Sequence, residues 1–120
     1  MVRTCLLISD DPDDHLELSE ALYEISDDTV LVTVSDVNKA LDLLTANKCI
    51  PEFILLNLII SGLVIQEFLN VLDANPALSR VRIIAYGESA TVQSGRFAAI
   101  LGADLTYSEL KEALKKLITR

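Results

Sequence analysis

Residues 51–62 read Pro-Glu-Phe-Ile-Leu-Leu-Asn-Leu-Ile-Ile-Ser-Gly, an apolar run bounded by a proline and a glycine and interrupted by one polar side chain, Asn57. A continuous apolar run of this length is typical of a strand that is covered on both faces, in the middle of a parallel sheet. Asn57 then lies near the carboxyl end of that strand, which is the edge where open α/β sheets bind ligands. The stretch predicts a parallel α/β fold with Asn57 at its functional edge.

Strand-like and helix-like segments alternate on both sides of this stretch. The other predicted strands are Thr4–Ile8, Thr29–Val34, Val81–Tyr86 and Ala103–Tyr107. The predicted helices run from Pro12 to about Ser26, from Ser35-Asp36 to Ala46, from Leu63 to Ala74, from Ala90 to Leu101, and onward from Ser108, which is the expected cap of the last helix. Because each parallel crossover must be right-handed, five strands and five helices give a three-layer α/β sandwich. A chain of 120 residues suits one such domain, residues 1–120.

The turn after the first strand, residues 9–14, is strongly acidic. Asp11 is placed to cap the first helix, with Pro12 at the first helical position. Two interpretations of Asp10 and Asp11 stay open: they are turn and capping residues, or they are ligands of a metal ion. His15 follows in the first turn of the helix, and we expect it to be solvated.

The composition restricts the partners. The chain is 51% hydrophobic, its formal net charge is −8 and its pI is about 4.4. Nucleic acid and anionic membrane surfaces would repel such a chain, so we expect neutral or cationic proteins as partners. No apolar stretch reaches membrane-spanning length and no signal peptide is visible, which predicts a cytoplasmic protein. Cys5 and Cys49 are expected to be reduced and structural.

Three fragments in this order resemble a known family: Ser35-Asp36-Val37-Asn38-Lys39-Ala40-Leu41, then Pro51-Glu52-Phe53-Ile54-Leu55-Leu56, then Gly102-Ala103-Asp104. With the acidic cluster after strand one, they are similar to the receiver domain of bacterial two-component response regulators. The resemblance covers essentially all 120 residues. It implies a flavodoxin-like (βα)5 fold with strand order 2-1-3-4-5, and phosphorylation of an aspartate at the end of strand three.

The phosphorylation site of that family is altered here. Asn57 falls at the acceptor position, and an amide is neutral, a poor nucleophile and unable to form an acyl phosphate. The family's acidic pair is matched by Ser9 and Asp10 with Asp11 next along, or by Asp10 and Asp11 after a shift of one residue. We expect no cofactor, and at most weak binding of Mg²⁺ by Asp10 and Asp11.

Two further positions of the family's site differ. Gly87 falls where the family has a serine or threonine, and Ser89 is the nearest hydroxyl. Glu109 falls at the lysine position in an ungapped alignment, or the lysine is deleted, and Lys111 is expected within the last helix. Without the lysine, crowded carboxylates would repel one another, and an asparagine at position 57 relieves that repulsion.

The segment after Asn57 is unusually apolar for this family. Ile60, Leu63, Val64 and Ile65 either form an exposed patch that contacts a protein or pack against neighbouring loops. The two interpretations stay open.

The resemblance and its departures predict a function. We expect a receiver-like signalling module of a two-component or phosphorelay system that is not an enzyme, is not phosphorylated at the usual site, and binds a histidine kinase or an output protein; a homodimer remains an alternative. The other candidates are a conventional receiver phosphorylated at another residue and a small flavodoxin-like nucleotide- or flavin-binding protein. The nucleotide- or flavin-binding candidate is disfavoured, because the acidic turn would repel phosphate and the sequence has no glycine-rich phosphate-binding motif.

Overall fold

The fold is a five-stranded parallel sheet flanked by helices. A computed structural model of the chain describes residues 3–26, 28–46, 50–57, 62–86, 97–101 and 106–118. The strands are β1 Arg3–Ile8, β2 Thr29–Val34, β3 Phe53–Asn57, β4 Arg82–Tyr86 and β5 Phe97–Leu101, in the order β2-β1-β3-β4-β5. The helices are α1 Pro12–Ile25, α2 Val37–Thr45, α3 Gly62–Ala74 and α4 Tyr107–Ile118. The predicted sheet order is therefore confirmed.

The sheet is covered on both faces, with β3 in the middle between β1 and β4. All five residues of β3 are buried, as its apolar sequence predicts. Successive residues of a strand point to opposite faces, so Ile54 and Leu56 pack with α2 and α3, whereas Phe53 and Leu55 pack with α1 and α4. The core consequently has two halves, and β3 contributes to both.

The first two helices begin as the sequence predicts. The side chain of Asp11 accepts a hydrogen bond from the backbone N–H of Asp13 at 2.9 Å, with Pro12 next in the chain. Asp36 caps α2 in the same way, accepting from the backbone N–H of Lys39 at 2.8 Å. Each cap satisfies a backbone donor that the helix cannot satisfy internally, and such a cap contributes about 1 kcal/mol.

The end of the sheet differs from the prediction. Phe97–Leu101 is strand β5, paired in parallel with β4, so the predicted helix Ala90–Leu101 is wrong over these residues. A short apolar run such as Phe-Ala-Ala-Ile-Leu suits either a helix or a strand, and here it completes the hydrogen bonds of β4. Residues 90–96 lie outside the described part of the chain. So do residues 103–105 of the predicted last strand, whose final residue, Tyr107, instead begins α4.

None of the helices that the structure describes has the length and apolar character needed to cross a bilayer.

Candidate functional site

The carboxyl ends of β1 and β3 meet at a buried polar pair, Ser9 and Asn57. The register of the two strands aligns Ile8 with Leu56, so the residues that follow them come together. The Nδ2 of Asn57 donates a hydrogen bond to the Oγ of Ser9 at 3.2 Å. Asn57 is only 3% exposed and Ser9 is fully buried. Each side chain thus satisfies part of the other's hydrogen-bonding capacity. The pairing matters for stability, because a buried polar group without a partner costs about 1–3 kcal/mol.

Ser9 links several elements at this edge. Its backbone N–H donates to the carbonyl of Val34, the last residue of β2, at 3.1 Å. Its Oγ also accepts from the backbone N–H of Asp11 at 3.2 Å. Two backbone groups and the amide of Asn57 therefore hold Ser9 where β2, β1 and β3 approach the start of α1.

The carbonyl of Ser9 has a further partner, His15. The Nε2 of His15 lies 2.7 Å from that carbonyl oxygen, and the ring is half-buried. A carbonyl can only accept, so Nε2 must carry the hydrogen. The expectation that His15 is simply solvated is wrong: the turn between β1 and α1 brings the first turn of the helix back over the end of the strand.

Asp10 and Asp11 are both exposed, and one of them already has a structural role. The Oδ1 of Asp11 accepts the capping hydrogen bond from Asp13, which supports the capping interpretation of this residue. Within the described ranges, no group of three or more histidine, cysteine, aspartate or glutamate side chains is arranged to hold a metal ion. Mg²⁺ prefers six oxygen ligands in near-octahedral geometry, several of them carboxylates or waters. A donor set of one exposed carboxylate, one capping carboxylate and an amide directed at Ser9 fits that ion poorly.

Glu109, expected at the lysine position in an ungapped alignment, has a structural role at the start of α4. The backbone N–H of Thr106 donates to the Oε1 of Glu109 at 3.2 Å, and the backbone N–H of Glu109 donates to the Oγ1 of Thr106 at 3.2 Å. This reciprocal arrangement is a capping box. Thr106 is thus the helix cap, and the prediction of Ser108 as the cap is wrong. Gly87, expected at the family's hydroxyl position, lies outside the described residues, so that assignment stays a prediction.

Lys111 lies within α4, as predicted, and its amine is directed at α1. Its Nζ is 2.8 Å from the Oε2 of Glu24 and 4.8 Å from the centre of the Tyr107 ring, while the Tyr107 hydroxyl donates to the same Glu24 oxygen at 3.1 Å. The hydrogen bond from Lys111 lowers the pKa of Glu24, and that bond raises the pKa of Lys111. The pKa of Tyr107 is raised, first by desolvation and then by the Glu24 carboxylate. Lys111 therefore forms an ion pair that links α4 to α1.

One of the four apolar residues expected to form an exposed patch after Asn57 is buried. Ile65 is 1% exposed and packs in the core with Phe68 and Leu69, so its assignment to an exposed protein contact is wrong. These three residues occupy one stripe of α3 that faces the sheet. Ile60 and the side chains of Leu63 and Val64 lie outside the described part of the structure, and their assignment stays a prediction.

Comparison with known proteins gives a fold. No protein-family model matches the chain. No curated protein matches it either. Among solved structures, a two-component response regulator from Legionella pneumophila matches with a TM-score of 0.79 at 23% identity over 100% of both chains. The signal receiver domain of a DNA-binding response regulator from Colwellia psychrerythraea matches with a TM-score of 0.76 at 21% identity, over 98% of this chain and 99% of that one.

The chain has the fold of response-regulator receiver domains. The predicted flavodoxin-like α/β fold is thereby confirmed. A third neighbour is the receiver domain of a sensor histidine kinase from Pseudomonas aeruginosa, which matches with a TM-score of 0.70 at 19% identity over 100% of both chains. That structure has a magnesium ion coordinated in its active-site cleft. In the present chain, the ends of β1 and β3 are joined by the Ser9–Asn57 hydrogen bond.

Proposed function

We propose that this chain is a receiver-like signalling module that takes no phosphoryl group at position 57 and acts by binding a protein partner. The receiver fold of its structural neighbours supports a signalling module of this kind. The proposal includes one domain over residues 1–120, a cytoplasmic location, a histidine kinase or an output protein as partner, and no enzymatic activity. These finer points rest on the likeness to receiver domains and on the residues at the sheet edge.

The hydrogen bond from Asn57 to Ser9 carries the proposal. Phosphoryl transfer to a receiver requires a carboxylate oxygen that forms a bond to phosphorus while the bond to the donor's leaving group breaks. The nitrogen of Asn57 is an amide nitrogen, whose lone pair is delocalised into the carbonyl, and it is engaged as a donor to Ser9. The end of β3 therefore presents no anionic nucleophile.

The charges around the site support the same conclusion. Transfer of a phosphoryl group depends on cations that stabilise the charge on its oxygens. Ser9 is neutral, Lys111 is paired with Glu24, and Glu109 is anionic and engaged in the capping box. We infer that Mg²⁺ binds at Asp10 and Asp11 only weakly.

The proposal is tested by intact-mass spectrometry of the full chain after incubation with acetyl phosphate and Mg²⁺. We expect no gain of a phosphoryl group by the wild-type protein. The matched control is the double variant Ser9→Asp with Asn57→Asp, which restores the carboxylates; if it gains a phosphoryl group under the same conditions, the missing acids explain the inertness of the wild type. A stable adduct on the wild type overturns the proposal, and fragmentation would then show whether another residue is the acceptor.

A further inference from the structure

Strand β2 is an edge of the described sheet and lacks the features that usually protect such an edge. It pairs with β1 in an uninterrupted register over all six residues, and no described strand pairs with its other side. Proteins usually protect an edge strand with a charged side chain, a proline or a bulge, because its outer N–H and C=O groups can bind another strand. Between Thr29 and Val34, β2 has none of these features. The opposite edge differs, because β5 has a bulge where it passes Ile83 and Ile84.

The backbone of β2 directs alternate residues outward, and one hydrogen bond shows which ones. The carbonyl of Val34 accepts from the backbone N–H of Ser9 at the end of β1, so the backbone groups of Val34 point toward β1. The N–H and C=O of one residue point to the same side of a strand, and the side alternates from residue to residue. Counting back from Val34, the residues whose backbone groups point outward are Thr29, Leu31 and Thr33. Their N–H and C=O groups are available geometry for one more strand.

The sequence of β2 is symmetric about Leu31. Residues 29–33 read Thr-Val-Leu-Val-Thr. If two copies of β2 pair in antiparallel fashion with Leu31 at the centre, threonine lies opposite threonine, valine opposite valine and leucine opposite leucine. The outward residues are then the hydrogen-bonded pairs of this arrangement, which exchange about six backbone hydrogen bonds. Cross-strand pairs of threonine and of apolar side chains also stabilise a sheet.

We propose that two copies of this chain associate through β2, in an antiparallel pairing whose two-fold axis passes through Leu31. The sheets of the two copies would then join into one continuous sheet, as an isologous two-fold contact allows. Val30 is 51% exposed, and Val32 of the second copy would cover it. The inference goes beyond the proposed function and does not depend on the chemistry of Asn57.

The charges around β2 suit a second copy, although the chain has a net charge of −8. In the register centred on Leu31, Asp28 lies opposite Val34 of the second copy and not opposite another carboxylate. The Nζ of Lys39 donates to the Oγ of Ser35 at 3.0 Å, next to Val34, so Lys39 would lie near Asp28 of the second copy. Opposite charges across an interface fix its register. A strand of another protein would not share the symmetric match, so a second copy is the favoured occupant.

Sedimentation equilibrium of the full chain over about 1 μM to 1 mM measures the association. We expect a reversible equilibrium between monomer and dimer with a Kd in that range, because a strand about 20 Å long forms a small interface. Amide hydrogen exchange at low and high protein concentration locates the contact. The amide of Leu31 should exchange about three- to fivefold more slowly in the concentrated sample, whereas the amide of Val32, which faces β1, should be equally slow in both.

Two matched pairs of variants make the test specific. Thr33→Pro removes an outward N–H without removing a hydrogen bond to β1, and should raise the dimer Kd by about tenfold or more. Thr33→Ala keeps that N–H and should change the Kd by less than about threefold. Val30→Lys places a charge in the contact and should also raise the Kd by about tenfold or more. Val71→Lys makes the same change at an exposed position of α3 and should leave the Kd unchanged.

Three results would overturn the inference. The first is a chain that stays monomeric up to about 1 mM, which would leave the edge to a strand of another protein. The second is a dimer that neither Thr33→Pro nor Val30→Lys weakens while circular dichroism shows an intact fold. The third is slower exchange on concentration that appears outside β2. A phosphoryl adduct on the wild type would overturn the proposed function instead, and would leave the association unchanged.

Discussion

Replacing Asn57 with aspartate places a carboxylate at a position where the native side chain is 3% exposed. Burial raises the pKa of a carboxyl group by as much as about 3–5 units, because the charged form loses its hydration. The Ser9 hydroxyl can rotate to donate to the new carboxylate, and this bond offsets part of the shift. We therefore expect a net rise of about 2 units, which corresponds to about 2.7 kcal/mol of folding free energy at about 1.36 kcal/mol per unit.

The sign of the effect follows from linkage between protonation and folding. A carboxyl group whose pKa is higher in the folded state leaves stability intact below its unfolded pKa of about 4, and stability is lost as pH rises through the folded value near about 6. Asn57→Asp should thus approach wild-type stability near pH 4 and fall below it by about 2.7 kcal/mol above pH 7. Urea denaturation with EDTA at a series of pH values measures the difference.

The matched control for this variant is Asn70→Asp, the same chemical change at an exposed position of α3. Its stability should stay within about 0.5 kcal/mol of wild type at every pH, as is usual for surface substitutions. A pH-dependent loss below about 1 kcal/mol for Asn57→Asp would refute the reasoning. It would mean that this edge of the sheet already stabilises a negative charge, as an active phosphorylation site does.

Three further predictions concern the supporting structure. Ile65→Ala should lower the free energy of unfolding by about 2–5 kcal/mol in urea denaturation because the side chain is buried, and a loss below about 1 kcal/mol would contradict that burial. Thr106→Ala removes half of the capping box and should cost about 1 kcal/mol, whereas Ser108→Ala should be nearly neutral; the reverse order would contradict the capping assignment. Glu24→Gln should lower the Tm at pH 7. Because the pKa of Glu24 is lowered from 4.5, the difference from wild type should shrink as pH falls below 4.5 and vanish once pH is below the lowered pKa. A Tm difference that persists unchanged in acid would contradict the ion pair with Lys111.

The elements whose sequence pattern has only one structural interpretation were predicted correctly. The β-branched run Thr29–Val34 is β2 with the same limits. Asp11 caps the helix that it was expected to cap, and Asp36 caps the helix that was expected to begin at Ser35-Asp36. In these cases the local preference and the packing agree, so the sequence alone is sufficient. Residues 97–101 fit a buried strand or a buried helix equally well, and only pairing with β4 decides between them.

The meeting of Ser9 and Asn57 follows from the sequence, but the detailed contacts around them do not. The parallel register brings Ser9 to Asn57, although the two are 48 residues apart, and the expected strand order implied this meeting. The contact of His15 with the carbonyl of Ser9 depends on the path of the turn, which no residue pattern specifies. Two other wrong predictions could have been avoided from the sequence. The spacing from Thr106 to Glu109 matches a capping box, which argues against Ser108 as the cap. Ile65 shares a helical stripe with the core residue Phe68, which argues against its exposure.

The central claim is that a neutral hydrogen bond between Asn57 and Ser9 occupies the edge where receivers take up phosphate. The most direct measurement is the nuclear magnetic resonance signal of the Asn57 side-chain amide, assigned by its loss in Asn57→Asp, during titration with Mg²⁺. We predict that its protons exchange with water far more slowly than those of the exposed Asn38 side chain, and that Mg²⁺ leaves the signal unmoved. Exchange as fast as that of Asn38, or a saturable shift with Mg²⁺, would contradict the claim.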